Sequence, residues 1–263
     1  MVVTIGRDFV TALFVPGDRP ERFAKAAASG ADVVIIDLED AVAPADKDRA
    51  RASLTTDFTS LPVILRINGA GTPWHAADLA AAAALNVAMV MLPKTEMDGC
   101  LETIRLPVIA LVETARGLSE ARGIAAHPAV ARLAFGSIDY CADLSCSHDR
   151  DALLFARSEL VLASRLAGLP APVDGVTTAI EDAELVMDDA RHGRNLGFGG
   201  KLCIHPRQVV AVQDAYYPDE RELAWAERVL ASGEGAAAID GAMVDEPVRI
   251  RARRILASAS ARI

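Results

Sequence analysis

The sequence predicts an α/β fold, a closed (β/α)8 TIM barrel with a C-terminal helical extension, on three observations. Eight short apolar runs alternate with helical stretches. The runs are continuous rather than alternating, as in strands covered on both faces. The 263 residues are 52% hydrophobic but only 5% aromatic, a balance suited to aliphatic helices packed on a parallel sheet. This length holds one large α/β domain or two small ones and buries a core without disulfides. An open doubly wound sheet is the competing topology. No glycine fingerprint follows the first run, which counts against its dinucleotide-binding form.

The runs are 11–15, 33–38, 62–67, 88–92, 107–112, 132–135, 172–174 and 201–204. Helical stretches are expected near 20–29, 45–55, 75–85, 97–104, 117–126, 150–168, 179–195 and 206–215. Eight such units fill the barrel, assigned to residues 1–216. The extension, 217–263, carries helical stretches near 219–232 and 247–258. It is too small to hold a separate core and is expected to pack on the barrel or on a neighbouring chain.

Composition also excludes function classes. The net charge is −9, which argues against nucleic acid or an anionic membrane as the main partner. No apolar run is long enough to span a bilayer. Residues 1–7 lack a basic region followed by an apolar stretch, so no secretory leader is expected. Cys100, Cys141, Cys146 and Cys203 form no CxxC pair and read as reduced thiols of a cytoplasmic protein.

Chemistry in such a barrel sits at the C-terminal ends of the strands. Asp37, Glu39 and Asp40 follow the second run, and period two puts Asp37 and Glu39 on the face of Val33 and Ile35. Arg66 and Asn68 end the third run, Lys94 the fourth, and Glu113-Thr114 the fifth. Gly136-Ser137-Ile138-Asp139 follows the sixth run, and His205-Pro206 the eighth. Clustered carboxylates repel and call in a cation: Arg66, Lys94 or a metal. Glu113 and Asp139 end neighbouring strands, which lie about 4.8 Å apart. Ligation by two carboxylates suits Mg2+, with Mn2+ also admissible. The alternative is that Glu113 or Asp139 pairs with Arg66 or Arg116 and no metal binds.

Gly197-Phe198-Gly199-Gly200-Lys201 fails the phosphate-loop pattern and reads as a helix stop with a tight turn. Ser137 and Ser145 lack a nucleophile elbow, which disfavours a serine hydrolase. His75, His127, His148 and His192 have no i,i+4 partner and read as ordinary surface or core residues.

The chain resembles the citrate lyase beta-subunit-like family of acyl-CoA lyases, which includes malyl-CoA and citramalyl-CoA lyases. The resemblance rests on Phe14-Val15-Pro16-Gly17, Asp37-Leu38-Glu39-Asp40-Ala41-Val42, Leu65-Arg66-Ile67-Asn68, Leu92-Pro93-Lys94 and Glu113-Thr114-Ala115. It continues through Phe135-Gly136 with Asp139, Gly197 to Lys201, and Ile204-His205-Pro206, all in family order. The family fold is a (β/α)8 barrel.

The resemblance implies roles. Glu113 and Asp139 match Mg2+ ligands. Arg66 matches the arginine that binds substrate oxygens, and Glu113 borders the substrate. Glu39 and Asp40 match acidic residues that hold metal waters or Arg66. Phe14-Val15-Pro16, Lys25 and Ile204-His205 fall where the family binds CoA. Met243-Val244-Asp245-Glu246-Pro247 resembles a stretch whose aspartate is an acid/base, so Asp245 joins Arg66 and Glu39 as a catalytic residue. In relatives this tail covers the barrel of an adjacent subunit, which implies a homo-oligomer, trimer or hexamer. Phe14 stands where some relatives have Tyr, and Ser145-Cys146 replaces a glycine.

The implied activity is Mg2+-dependent cleavage or formation of a 3-hydroxy-acyl-CoA thioester such as malyl-CoA or citramalyl-CoA. The other products or substrates are an acyl-CoA and a 2-keto acid. Three alternatives stay open: a citrate lyase beta subunit acting on a citryl thioester of an acyl carrier protein, a thioesterase, and a non-catalytic acyl-CoA-binding regulator.

Overall fold

The structure, a computed structural model, describes residues 8–85, 87–233, 235, 237–239 and 241–260. The N-terminal heptapeptide read above for a leader lies outside the described residues, as do Glu234 and Asp240 of the extension. The chain forms two compact units, Met1–Val212 and Gln213–Ile263. No helix among the described residues is long and apolar enough to cross a membrane.

The first unit is the closed barrel. Its strands are β1 (Thr11–Pro16), β2 (Val33–Asp37), β3 (Val63–Arg66), β4 (Met89–Leu92), β5 (Val108–Val112), β6 (Val130–Phe135), β7 (Val173–Asp174) and β8 (Gly200–Cys203). They pair in chain order, and β8 pairs in parallel with β1 to close the ring. All eight expected runs form strands. The shortest, β7, meets β6 through the one register pair Ala134↔Val173. Aliphatic side chains from alternate positions fill the interior, among them Val33, Ile35, Ile64, Met91, Ile109 and Leu111.

The helices of the ring are α1 (Phe23–Ala27), α2 (Lys47–Ala52), α3 (His75–Leu85), α4 (Ala115–Ser119), α5 (Ala121–Ala126), α6 (Ser137–Leu144), α7 (Arg150–Leu166), α8 (Ala183–Leu196) and α9 (Gln208–Tyr216). The unit boundary falls within α9. Side-chain caps fix several starts: Thr114 for α4, Asp149 for α7 and Asp182 for α8. The Asp182 cap explains why α8 begins later than the apolar pattern suggested. The helix expected at 97–104 is reduced to one 3-10 turn, Leu101–Thr103. Gly99, at φ 87, breaks the stretch. In the other direction α6 is a helix where a loop was expected.

The second unit holds α10 (Glu220–Ala231), a hairpin of β9 (Ala237–Ile239) and β10 (Ala242–Val244), and α11 (Glu246–Ser260). Asp219 and Glu222 form a capping box at the start of α10. Ala226, Val229, Val244, Ala252 and Ile255 make a small core of its own, flanked by Trp225 and Leu256. This corrects the expectation of an extension without a core. The hairpin, hidden in a Gly- and Ala-rich stretch, supplies the third side that two helices lack.

Candidate active site

The inward alternation that fills the barrel also builds its mouth. One step beyond the aliphatic layer, the inward positions are Phe14 on β1, Asp37 on β2, Arg66 on β3 and Glu113 just after β5. These four residues border a cavity of about 380 Å3, whose wall also includes Asp40, Ser137, Asp139 and Ile204.

Arg66 is held on three sides. Its Nε and Nη2 donate to Asp37 Oδ1 and Oδ2 at 2.7 and 2.6 Å, a bidentate fork. Nη1 lies 3.1 Å from Glu39 Oε2 and 3.8 Å from Asp40. The guanidinium carbon sits 4.8 Å from the centre of the Phe14 ring. Burial opposes its charge, but Asp37, Glu39 and Asp40 together outweigh burial and keep the guanidinium protonated. Asp37 is fixed in turn by the backbone N–H groups of Glu39 and Ala41. Asn68, which sequence placed on the rim, instead donates to Asp78 and to the Leu38 carbonyl. It pins the β2 and β3 loops together.

The second half of the rim is a carboxylate cluster around Lys94. The Lys94 ammonium lies 2.8 Å from Glu39, 3.5 Å from Asp139 and 3.8 Å from Glu113. Burial and the nearby Glu39 charge push the Glu113 carboxyl up to about 8, against the pull of Lys94. Burial also raises Glu39, and Arg66 and Lys94 offset it only in part. Glu39 Oε2 is buried and accepts no hydrogen bond. Gly136 follows β6 beside Glu113, and a Cβ there would clash with the Glu113 carboxylate. Only glycine leaves room for this carboxylate.

Asp139 comes from the first turn of α6, not from the end of a strand as expected. The helix starts directly after β6 and turns Asp139 back towards Glu113. Ser145, which replaces the family glycine, ends α6 in the left-handed conformation at φ 54, the geometry a glycine would supply. Gly197 ends α8 in the same way at φ 105, and β8 begins at Gly200, so this glycine cluster is a helix stop.

Lys25 is exposed on α1, and neither it nor His205 lines the cavity. His205 Nδ1 accepts from the Arg207 N–H. Asp245 belongs to the second unit, where its Oδ1 accepts from Val248 N at 3.4 Å at the start of α11. His75 and His127 make local contacts, Nδ1 of His75 with the Asn68 carbonyl and His127 with the Ala129 N–H. His148 is exposed, in keeping with the surface reading, and its Nε2 lies 2.9 Å from Oγ of Ser137, which lines the cavity. Sequence reasoning missed that pair because ten residues and the turn after α6 separate its members. It also passed over Asp37 as a site residue, although period two had placed it on the face of Val33 and Ile35. All four cysteines are free.

The donor set fits a hard cation. Glu113 and Asp139 offer carboxylate oxygens to one space, while Glu39 Oε2, without a hydrogen bond, is ion-paired with Arg66. Among the described residues, no group of three or more His, Cys, Asp or Glu is arranged to hold a metal alone. An ion here would complete its shell with water and ligand oxygens, the habit of Mg2+.

Comparison with known proteins places the chain in a family. Residues 11–206 match the HpcH/HpaI aldolase/citrate lyase family. A citrate lyase subunit beta-like protein of Mycobacterium tuberculosis is 44% identical over 256 residues, 93% of each chain. A (3S)-malyl-CoA thioesterase of Cereibacter sphaeroides is 35% identical, over 96% of this chain and 95% of its own. The crystal structure of M. tuberculosis CitE in complex with magnesium, acetoacetate and coenzyme A superposes with a TM-score of 0.88. It is 42% identical, over 96% of this chain and 98% of its own. The chain belongs to the HpcH/HpaI aldolase/citrate lyase family.

Proposed function

We propose that the protein is a Mg2+-dependent carbon–carbon lyase for a 3-hydroxy-acyl-CoA thioester such as malyl-CoA or citramalyl-CoA. Cleavage gives an acyl-CoA and a 2-keto acid, and the reverse reaction condenses them. The observation that carries this reading is one cavity with Glu113 and Asp139 on one side and Arg66 on the other. The bound magnesium and coenzyme A of the M. tuberculosis relative support it.

Magnesium, held by Glu113 and Asp139, supplies Lewis acidity that favours negative charge on oxygen at C3. Arg66 binds the substrate carboxylate. Asp37 occupies Nε and one Nη2 hydrogen and Glu39 pairs with Nη1, so an oxyanion would take the guanidinium hydrogens these carboxylates leave. Glu39 fixes Arg66 and Lys94 and so holds the rim in register. In the cleavage direction the C3 hydroxyl loses its proton and the C2–C3 bond breaks. The electron pair passes to the thioester enolate, whose carbon then takes a proton. Asp245 is assigned that acid/base step, with the protein acting as a trimer or hexamer. Phe14, Lys25 and His205 are assigned to the CoA portion.

Hydrolysis of the same thioester is a second reading. It is favoured by the contact of His148 with Ser137, which lines the cavity, and by the thioesterase relative. One experiment separates the two. With Mg2+ and malyl-CoA, lyase chemistry yields acetyl-CoA and glyoxylate, and hydrolysis yields malate and free CoA. A panel of 2-keto acids with acetyl-CoA or propionyl-CoA, read by mass, then identifies the substrate. Absence of both product sets across the panel would refute the reading. Asp245→Asn is expected to keep Mg2+ binding and lose cleavage. Full activity in that variant would leave Asp245 as a helix cap only.

A further inference from the structure

Lys94 has two unusual features. It is one of two described non-glycine residues with positive φ, at 48, a backbone conformation that L side chains rarely adopt. That conformation aims its backbone N–H at Glu113 Oε1, 2.8 Å away. Its ammonium also reaches Glu39, Asp139 and Glu113. One residue therefore presents two positive groups to the carboxylates of β2, β5 and α6.

We propose that Lys94 is a built-in counter-ion: it holds the acidic rim together in the metal-free protein, is displaced by the arriving divalent cation, and so sets cation affinity. The inference rests on the assignment of Glu113 and Asp139 as the cation's ligands. An ammonium and a dication repel, and here they would share carboxylates. The Lys94 side chain is 46% exposed, so its head can swing into water at little desolvation cost. Lys201, another lysine beside a carboxylate, is 2% exposed and has no such exit. The backbone N–H of Lys94 stays on Glu113 when the ammonium leaves, so the carboxylate keeps its orientation.

The test is calorimetric titration of Mg2+ into the EDTA-treated full-length chain, wild type against Lys94→Met. Removing the competing charge is expected to tighten Mg2+ binding at least about tenfold. The melting temperature in EDTA is expected to fall, and its rise with Mg2+ to grow. Lys94→Arg, which keeps the charge, is expected to stay near the wild-type affinity. Mg2+ binding that is unchanged or weaker in Lys94→Met overturns the proposal and leaves the lyase reading intact. Absence of Mg2+ binding in the wild type overturns both. The wild type gives a second test if the Met variant does not fold. The chain has four lysines, so the Lys94 ammonium can be followed by 15N NMR. Saturating Mg2+ is expected to move that signal to the free-lysine position, and an unmoved signal overturns the proposal.

Discussion

Two charged clusters share one barrel and differ in almost every respect. On β7 and β8, Asp174 and Lys201 alternate with the inward residues Val173 and Leu202, so they face outward under α7. Asp174 is wholly buried there. It accepts from Arg157 Nε at 2.9 Å and lies 3.4 Å from Lys201 Nζ, which also donates to the Gly175 carbonyl. Burial opposes the Asp174 charge, but the two cations overcome it and hold its carboxyl below the usual range. On β2, β3 and β5 the opposite parity turns Asp37, Arg66 and Glu113 into the mouth. There carboxylates outnumber cations, a buried Glu39 oxygen lacks a hydrogen bond, and Glu113 is pushed up to about 8. The first cluster is electrostatically complete and structural. The second lacks positive charge and is built to receive it.

The largest contrast is in stability. Asp174→Ala leaves two buried cations without their anion and is expected to cost about 3–5 kcal/mol. Glu113→Gln removes a carboxylate that burial already disfavours, and is expected to leave metal-free stability unchanged or raised. Denaturant unfolding in EDTA compares them, and equal losses would erase the distinction between the clusters. In activity the order reverses. Glu113→Gln and Asp139→Asn are each expected to lose at least about a hundredfold in Mg2+-dependent turnover, since even residues that only orient a metal's ligands cost 10–100-fold. Full activity of either variant in excess EDTA would remove the metal assignment. Arg66→Lys keeps the charge but loses the fork on Asp37. Its kcat/KM is expected to drop about tenfold, or roughly 1.4 kcal/mol. Wild-type kinetics would make Arg66 a strut for Asp37.

The smallest effect is pH dependence, and the clusters differ in sign. Glu113 has a folded-state value above its ordinary 4.5, so its contribution is greatest below 4.5 and is lost as pH rises towards 8. Asp174 has a depressed value, so its contribution is present above the ordinary aspartate range and is lost on acidification. In EDTA, wild-type stability should therefore decline more between pH 5 and 8 than that of Glu113→Gln. Parallel curves would place Glu113 in a more solvated setting than its burial indicates.

The barrel was legible because parallel strands buried on both faces leave continuous apolar runs, and all eight formed. Period two put Asp37 on the inward face, and Arg66 and Glu113 were read at the ends of their runs, where the mouth forms. What was hidden depended on tertiary context. The segment Ser137–Leu144 mixes Asp, Tyr and Ala without a clear apolar face, so α6 and its placement of Asp139 could not be read. Lys94 was visible as a cation, but not its left-handed backbone, which the surrounding carboxylates make tolerable. Gly99 broke an expected helix through its conformation, which composition does not show. Asp174, Arg157 and Lys201 are distant in sequence and meet only when α7 packs over β7 and β8.

The open rim is tested most directly by calorimetric titration of Mg2+ into EDTA-treated wild type and Glu113→Gln. The expected result is one Mg2+ bound per wild-type chain, with binding lost in the variant while its circular dichroism stays that of the wild type. Equal binding by both proteins, or by neither, would contradict a cation site at the barrel mouth.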